Sequence, residues 1–526
     1  MNKLLERLWT LALRPQAERW LAPAVAVWLA CLAWMRFLHL PDEGRYVGVA
    51  WDMLRADSPW VPLINGLPYF HKPPLFYWLS QLSFAVFGVH EWSARVAPVL
   101  AACVAAMALF GFVRKYRGPR VAVLTLGILV TMPLFYGGAQ YANLDMLVAG
   151  MMTITVLAGA EAVFRHESGQ LWRSMSILAG VFAALSILAK GLIGIVLPGG
   201  VLFFWLILSG RWRKLGVLLW PPALLAFLVV VLPWFVLMQN LYPGFFNYFF
   251  VYQHFERFVS ESFNNTQPFW FYIPLVLSMT LPWSLAAVGF FTGSFWRRSN
   301  SQLNSLMWCW LAVMVVFFSI PASKLIGYIL PVLFPLAVLL AEVVAIYLDT
   351  TTAKMTLLRP HIRRAVRTCF VIAVFVCLTT LIVFRFNQKD SGANMGARIA
   401  SELKADDTFL FLKSYPFDLP LYSGMRKPAW VVENWPALVQ RDNWRNELAD
   451  AAQFNPELGR EVLVNSDALL PRLCKTSDQV FWVRADADEW PAWGFIKDVP
   501  PFVREDNEAM VWKIKTDQAF KAKFCQ

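Results

Sequence analysis

The chain has 526 residues, of which 58% are hydrophobic and 16% charged, and a formal net charge of +12. Soluble globular domains carry about 45–50% apolar and about 25% charged residues, so a single water-soluble globule and a disordered chain are both excluded. Seven cysteines over this length also exclude a disulfide-knit secreted module. The positive charge would suit nucleic-acid binding only if it clustered on a soluble face; it falls instead between hydrophobic runs.

A membrane helix needs about 20 mostly apolar residues. That criterion predicts eleven spans, near 21–40, 93–113, 121–138, 146–164, 174–189, 191–209, 215–238, 269–292, 303–320, 326–347 and 367–386. Eleven or thirteen crossings would leave the sidedness of the loops unchanged. Every second gap is basic: Arg114, Lys115, Arg117 and Arg120; Arg165 and Arg173; Arg211, Arg213 and Lys214; Arg297 and Arg298; Arg359, Arg363, Arg364 and Arg367. The N-terminal arm adds Lys3, Arg7, Arg14 and Arg19. The positive-inside bias makes these gaps and the N-terminus cytoplasmic, so the basicity sets topology and no nucleic-acid partner is expected. The alternate gaps then face outward: 41–92, 139–145, the 189–191 turn, 239–268, 321–325 and the chain beyond 387. No small-residue cleavage site follows the first span, which therefore reads as a retained anchor.

Beyond 387 the composition becomes ordinarily polar and predicts a soluble α/β domain. Its expected strands are 408–412, 429–432, 480–483 and 510–514, with a helical pattern near 457–471. Its only cysteines are Cys474 and Cys525. On an oxidising side of the membrane they form either a bridge or two free thiols, and the sequence favours neither.

Chemistry concentrates on the outward face. The first outer loop is too long for a simple connector. It opens with Asp42-Glu43-Gly-Arg45-Tyr46, continues into a helix-like 47–54, and reaches Tyr69-Phe70-His71-Lys72-Pro73-Pro74. Carboxylates at a membrane boundary can hold a divalent cation, remove a proton from an acceptor, or cap the helix that follows. Lys72, set among aromatics and prolines, suits a phosphate. Later outer gaps bring Asn143-Leu-Asp145, Lys190-Gly191, Tyr248, His254-Phe-Glu256-Arg257, the run 267–274 and Lys324-Leu-Ile-Gly327-Tyr328. Lysines here could simply snorkel, and the aromatic run 269–272 is first of all an interfacial belt. A transporter would show charge at the midplane, but Glu161 and Glu342 lie toward cytoplasmic ends and no inverted repeat is evident. The pattern favours an interfacial enzyme over a conduit.

Six of these segments, in order and with similar spacing, resemble the bacterial aminoarabinose transferases of lipid A and the wider protein-O-mannosyltransferase-like GT-C superfamily. They are 42–46, 69–74, Leu144-Asp145, Ala189-Lys190-Gly191, 268–274 and 324–331. The resemblance implies a polytopic α-helical GT-C membrane protein of about 11–13 spans over 1–386, with a periplasmic α/β domain over 387–526. It implies inverting transfer of a sugar from a polyprenyl, usually undecaprenyl, phosphate at the periplasmic face of the bacterial inner membrane. Asp42 matches the catalytic first-loop acid, with Glu43 beside it, and Asp145 the second acidic position. Lys72, Arg257, Lys324 and Tyr328 match donor-phosphate or donor-cavity residues. His254 matches a histidine near a divalent metal (zinc, or magnesium or manganese). His71 stands where the aminoarabinose transferases usually carry an acid, which keeps ligand capacity and changes charge. The acceptor is expected to be lipid A or a related envelope glycan. The alternatives are transfer to a protein hydroxyl, or a non-catalytic flippase or scaffold handling the same lipid.

Overall fold

The computed structural model describes residues 12–14, 16–256, 265–298, 302–349, 353–386, 391–438, 446–504 and 509–525. Arg257 lies outside them, as does the side chain of His254. The chain forms two compact units, one comprising Met1–Met35, Arg95–Leu237 and His254–Phe384, the other Arg36–Ala94, Met238–Gln253 and Arg385–Gln526.

The first unit is helical. Among the described residues, seven helices are long and apolar enough to cross a membrane, or eight if the bent pair Pro119–Val130 and Pro133–Ala139 makes one span. Three of the eleven expected spans fall short of that measure. The run 21–40 is helical only over Glu18–Ala30, 191–209 becomes the 16-residue Ile193–Leu208, and 269–292 breaks into Tyr272–Met279 and a 3-10 segment, Trp283–Phe291. Hydropathy measures apolar length and is blind to such breaks.

Leu144–Glu167 is the buried centre of this unit; its apolar window is 100% buried. It packs closely because small residues let backbones approach: a Cβ on Gly150 would lie 2.9 Å from the carbonyl oxygen of Ala101. The next two helices, Arg173–Lys190 and Ile193–Leu208, turn tightly at Gly191, whose φ of +93° suits glycine. Pro221–Leu241 is peripheral, with Leu225, Leu228, Val229, Leu232 and Val236 exposed, a face that suits hydrocarbon.

Basic gap residues meet acidic helix ends. Lys115 Nζ and Arg165 Nε each lie 2.5 Å from Glu161 Oε1, Arg117 pairs with Glu342, and Arg211 Nε lies 2.9 Å from Glu167 Oε1. Glu161 and Glu342 thus anchor the basic gaps. Asp145 begins the same helix that carries Glu161 and Glu167 near its end. At 1.5 Å per residue those ends stand about 30–35 Å apart, roughly one hydrocarbon thickness.

The second unit contains a six-stranded sheet. Its strands, after a small hairpin of β1 (Leu63–Ile64) and β2 (Leu67–Pro68), are β3 (Thr408–Leu412), β4 (Trp430–Glu433), β5 (Leu463–Asn465), β6 (Val480–Ala485), β7 (Val503–Arg504) and β8 (Met510–Lys515). The order is β5-β4-β3-β6-β8-β7, parallel from β5 to β6 and antiparallel at β8 and β7. The four expected strands are present within two residues. The helical pattern expected at 457–471 is not one helix: Pro456–Val462 gives way to β5, and a second helix begins at Leu469. Leu410, Leu412, Val432, Phe481, Val483 and Trp512 form the core. Cys474 and Cys525 are joined in a disulfide, while Cys31, Cys103, Cys309, Cys369 and Cys377 are free.

The first outer loop packs within this unit. Asn65 Nδ2 donates to the Ala429 carbonyl at 2.9 Å, and the Ala429 amide donates back to Asn65 Oδ1 at 2.7 Å. The Leu38 amide donates to the Tyr422 hydroxyl at 3.0 Å, and a Cβ on Gly48 would lie 2.9 Å from the Phe417 carbonyl oxygen. The expected helix-like 47–54 is the middle of Asp42–Arg55, and a second helix, Leu75–Phe87, follows.

Candidate active site

In the helical unit the site is built on Asp145. Asn143 caps the Leu144–Glu167 helix: its Oδ1 accepts the Asp145 amide at 2.9 Å, and its Nδ2 donates to Asp145 Oδ2 at 2.9 Å. The carboxylate therefore sits at a helix N-terminus, where the dipole favours negative charge. Lys190, at the end of a neighbouring helix, pairs with Asp145 Oδ1 and lies 4.1 Å from the centre of the Tyr328 ring. A cation over an aromatic face is held in place without losing its charge. Gly327 closes the other side, since a Cβ there would lie 2.0 Å from Asp145 Oδ2.

Lys324 is buried beside this cluster in sequence, yet its ammonium faces carbonyls. It donates to the Gln267 oxygen at 3.0 Å and also to that of Pro321. The Lys324 amide reaches the Asn265 oxygen at 3.2 Å, and the Gln267 amide reaches that of Ala322 at 3.0 Å. Lys324 therefore ties 265–267 to 321–325.

In the second unit the cluster is built on Arg45. Asp42 and Glu43 occupy the first turn of Asp42–Arg55, where no side chain caps the helix. The two acids differ in environment. Glu43 is fully buried, pairs with Arg36, and accepts the His39 amide at 2.9 Å. Asp42 retains 34% side-chain exposure and accepts Arg45 Nη2 at 2.7 Å.

The other nitrogen of Arg45 reaches Glu447 Oε1 at 2.5 Å, and Tyr69 donates its hydroxyl to Glu447 Oε2 at 3.1 Å. Burial alone would pull the Arg45 guanidinium down, but Glu447, Tyr46, Tyr69 and Asp42 outweigh it and keep it firmly charged. His71 stacks on Tyr69 with centroids 4.8 Å apart. Its Nε2 lies 3.3 Å from Asp450 Oδ2, and its Nδ1 lies 3.7 Å from Glu447 Oε1. Lys72 follows directly, half-buried.

Among the described residues no group of three or more His, Cys, Asp or Glu side chains is arranged to hold a metal ion. The His71 ring faces the carboxylates of Asp450 and Glu447, and Glu447 is already engaged by Arg45 and Tyr69. The structure thus brings Asp145 together with Lys190 and Tyr328, and Asp42 together with Arg45. Sequence reading missed Glu447 and Asp450. They lie in a short helix, Glu447–Ala452, that carries no motif, and Glu447 stands 402 residues from Arg45 and 378 from Tyr69.

A family model described as dolichyl-phosphate-mannose-protein mannosyltransferase matches residues 71–236. The chain is similar to the undecaprenyl phosphate-alpha-4-amino-4-deoxy-L-arabinose arabinosyl transferase of Enterobacter sp. (strain 638). Identity is 33% over 314 residues, covering 58% of this chain and 55% of that protein. An enzyme of the same name from Sodalis glossinidius (strain morsitans) is 30% identical over 353 residues, covering 66% and 62%. The chain spans little more than half the length of the first of these relatives. Among solved structures, ArnT from Cupriavidus metallidurans bound to undecaprenyl phosphate superposes with a TM-score of 0.78 at 22% identity, over 96% of this chain and 99% of that one. The oligosaccharyltransferase AglB from Archaeoglobus fulgidus gives 0.56 at 12% identity, over 90% and 70%. The resemblance read from the motifs is borne out, and the fold is the expected GT-C type.

Proposed function

We propose that the chain is an inverting glycosyltransferase that moves a sugar from a polyprenyl phosphate to lipid A or a related envelope glycan, at the periplasmic face of the bacterial inner membrane. The observation that carries this reading is the paired acid–cation chemistry held on a fold shared with a protein crystallised with undecaprenyl phosphate. The N-terminus and the basic gaps would then be cytoplasmic and the sheet domain periplasmic.

The chemistry needs little more than charge placed where it develops. The anomeric carbon is attacked by an acceptor oxygen as its bond to the donor phosphate breaks, through an oxocarbenium-like state. The phosphate oxygen leaves with the electron pair, its charge neutralised by Lys72. An acceptor hydroxyl gives its proton to Asp42, whose exposure leaves it reachable. An acceptor phosphate needs no such base, and Asp42 then orients it. Asp145, fixed by Asn143 and Lys190, holds the second acidic position. Glu43 keeps the first turn in place through Arg36. Any divalent ion would involve His71 or His254, and no step here depends on one.

Transfer to a protein hydroxyl is the second reading, favoured by the description of the matching family model. Mass spectrometry of lipid A and of envelope proteins from cells with and without the chain separates the two. A sugar lost from lipid A alone is the expected result. In the same assay D42N and D145N should abolish transfer at normal protein levels; full transfer by both would sink the catalytic reading.

A further inference from the structure

We infer that Glu447, in the C-terminal domain, is a positioning residue for the reaction: it holds Arg45, and through Arg45 sets the orientation of Asp42. The inference rests on the glycosyltransferase reading above. Glu447 is buried, and its two oxygens are divided between two partners from the first outer loop. Oε1 takes Arg45 Nη1 at 2.5 Å and Oε2 takes the Tyr69 hydroxyl at 3.1 Å. Arg45 presents its second terminal nitrogen, Nη2, to Asp42 Oδ1 at 2.7 Å. The guanidinium is rigid and planar, so fixing one terminal nitrogen fixes the direction of the other.

The charge balance makes the arrangement directional. Arg45 keeps only 14% side-chain exposure and Glu447 only 7%, whereas Asp42 keeps 34%. A desolvated cation needs an anion, and the buried Glu447 supplies it. The more exposed Asp42 is then held in orientation without being the main counter-charge of Arg45. With Glu447 neutral, the desolvated guanidinium would turn toward Asp42 and draw it inward, out of its present orientation. Among the described residues, the groups facing Arg45 in this cluster are Asp42, Tyr46, Tyr69, Tyr77 and Glu447, with His71 behind Tyr69.

The test is a double-mutant cycle on the full-length protein, measuring sugar transfer from a purified polyprenyl-phosphate donor. E447Q should lower kcat about tenfold or more, the scale of a small misplacement of a catalytic group, with donor KM within about threefold. R45Q should do the same, and the double variant should be no worse than R45Q alone, because both act through one contact. Melting temperature reports on folding. If E447Q does not fold, the cycle is run with E447D, which keeps the charge and withdraws it by one methylene. Unchanged kcat in a folded Glu447 variant, or losses that multiply in the double variant, would overturn the inference and leave the glycosyltransferase reading standing. A wild type that transfers no sugar overturns both.

Discussion

Asp145 is held by three neighbours, and each can be removed separately. Lys190 balances its charge, so K190M would leave a carboxylate of 11% side-chain exposure unpaired. Breaking one partner of such a buried pair typically costs about 3–5 kcal/mol, and the melting temperature should fall accordingly. Gly327 acts by absence: G327A places a methyl 2.0 Å from Oδ2, and the carboxylate must swing away. We expect transfer to drop about a hundredfold, and the melting temperature to fall no further than in K190M, because the displaced carboxylate also loses Lys190. Normal activity in G327A would mean that the position of Asp145 does not matter. A different carboxylate reports on pH. Burial pushes Asp418 up to about 6 from an ordinary 3.8, only partly offset by the Gly392 amide, the Ser391 hydroxyl and Arg484. The folded form therefore binds this proton more tightly than the unfolded one. Between about pH 4 and pH 6 its contribution to stability falls as pH rises, by about 3 kcal/mol in all. Comparing D418N with wild type across that window isolates the effect: the difference in melting temperature should grow with pH in favour of D418N.

Helices and strands in this chain differ in how clearly their residues announce them. The apolar windows found most spans because lipid demands length and leaves little else to satisfy. The strand 408–412, Thr-Phe-Leu-Phe-Leu, is buried at every position, as a central parallel strand must be. The three-residue β5 was invisible because its Leu-Val continues the apolar period of the helix before it, and only pairing with β4 makes it a strand. Leu75–Phe87 was also missed; at 13 residues it is too short for a span. In the site, Asp42 and Asp145 were legible because acids at a membrane boundary stand out. Glu447 was not, since an acid in a polar domain is unremarked until it meets Arg45. The Cys474–Cys525 bridge lay open in the sequence and is formed in the fold. It closes a loop with a separation of 51 residues, and loops of that size are worth about 4 kcal/mol in the chain-entropy account. C474S/C525S should lower the unfolding midpoint of the sheet domain, read by denaturant titration of its tryptophans. Reductant should lower the wild type equally and leave the double variant unmoved.

Chain order and spatial order part company in the molecule as a whole. Arg36–Ala94 sits in the sequence between two hydrophobic helices, yet it packs with Arg385–Gln526. Its ties are specific: the paired bonds of Asn65 with Ala429, the Leu38 amide on Tyr422, and Arg45 on Glu447. Ordering a loop of this length costs conformational entropy, and the loop's own two-residue strands β1 and β2 could not offset that alone. The C-terminal domain is then what gives the candidate catalytic loop its shape. A chain truncated after residue 386 keeps every hydrophobic run and should still insert and accumulate in membranes. Its first outer loop should become open to trypsin at Arg45 and Arg55, sites that the full-length protein shields by burial and ion pairing, and its sugar transfer should be lost. N65A should show the same cleavage in weaker form, because it removes both bonds to Ala429 at a buried site. The comparison is made in detergent by mass spectrometry of the fragments. A truncated chain whose loop is cut no faster than that of the whole protein would show that the order of the catalytic loop comes from somewhere else.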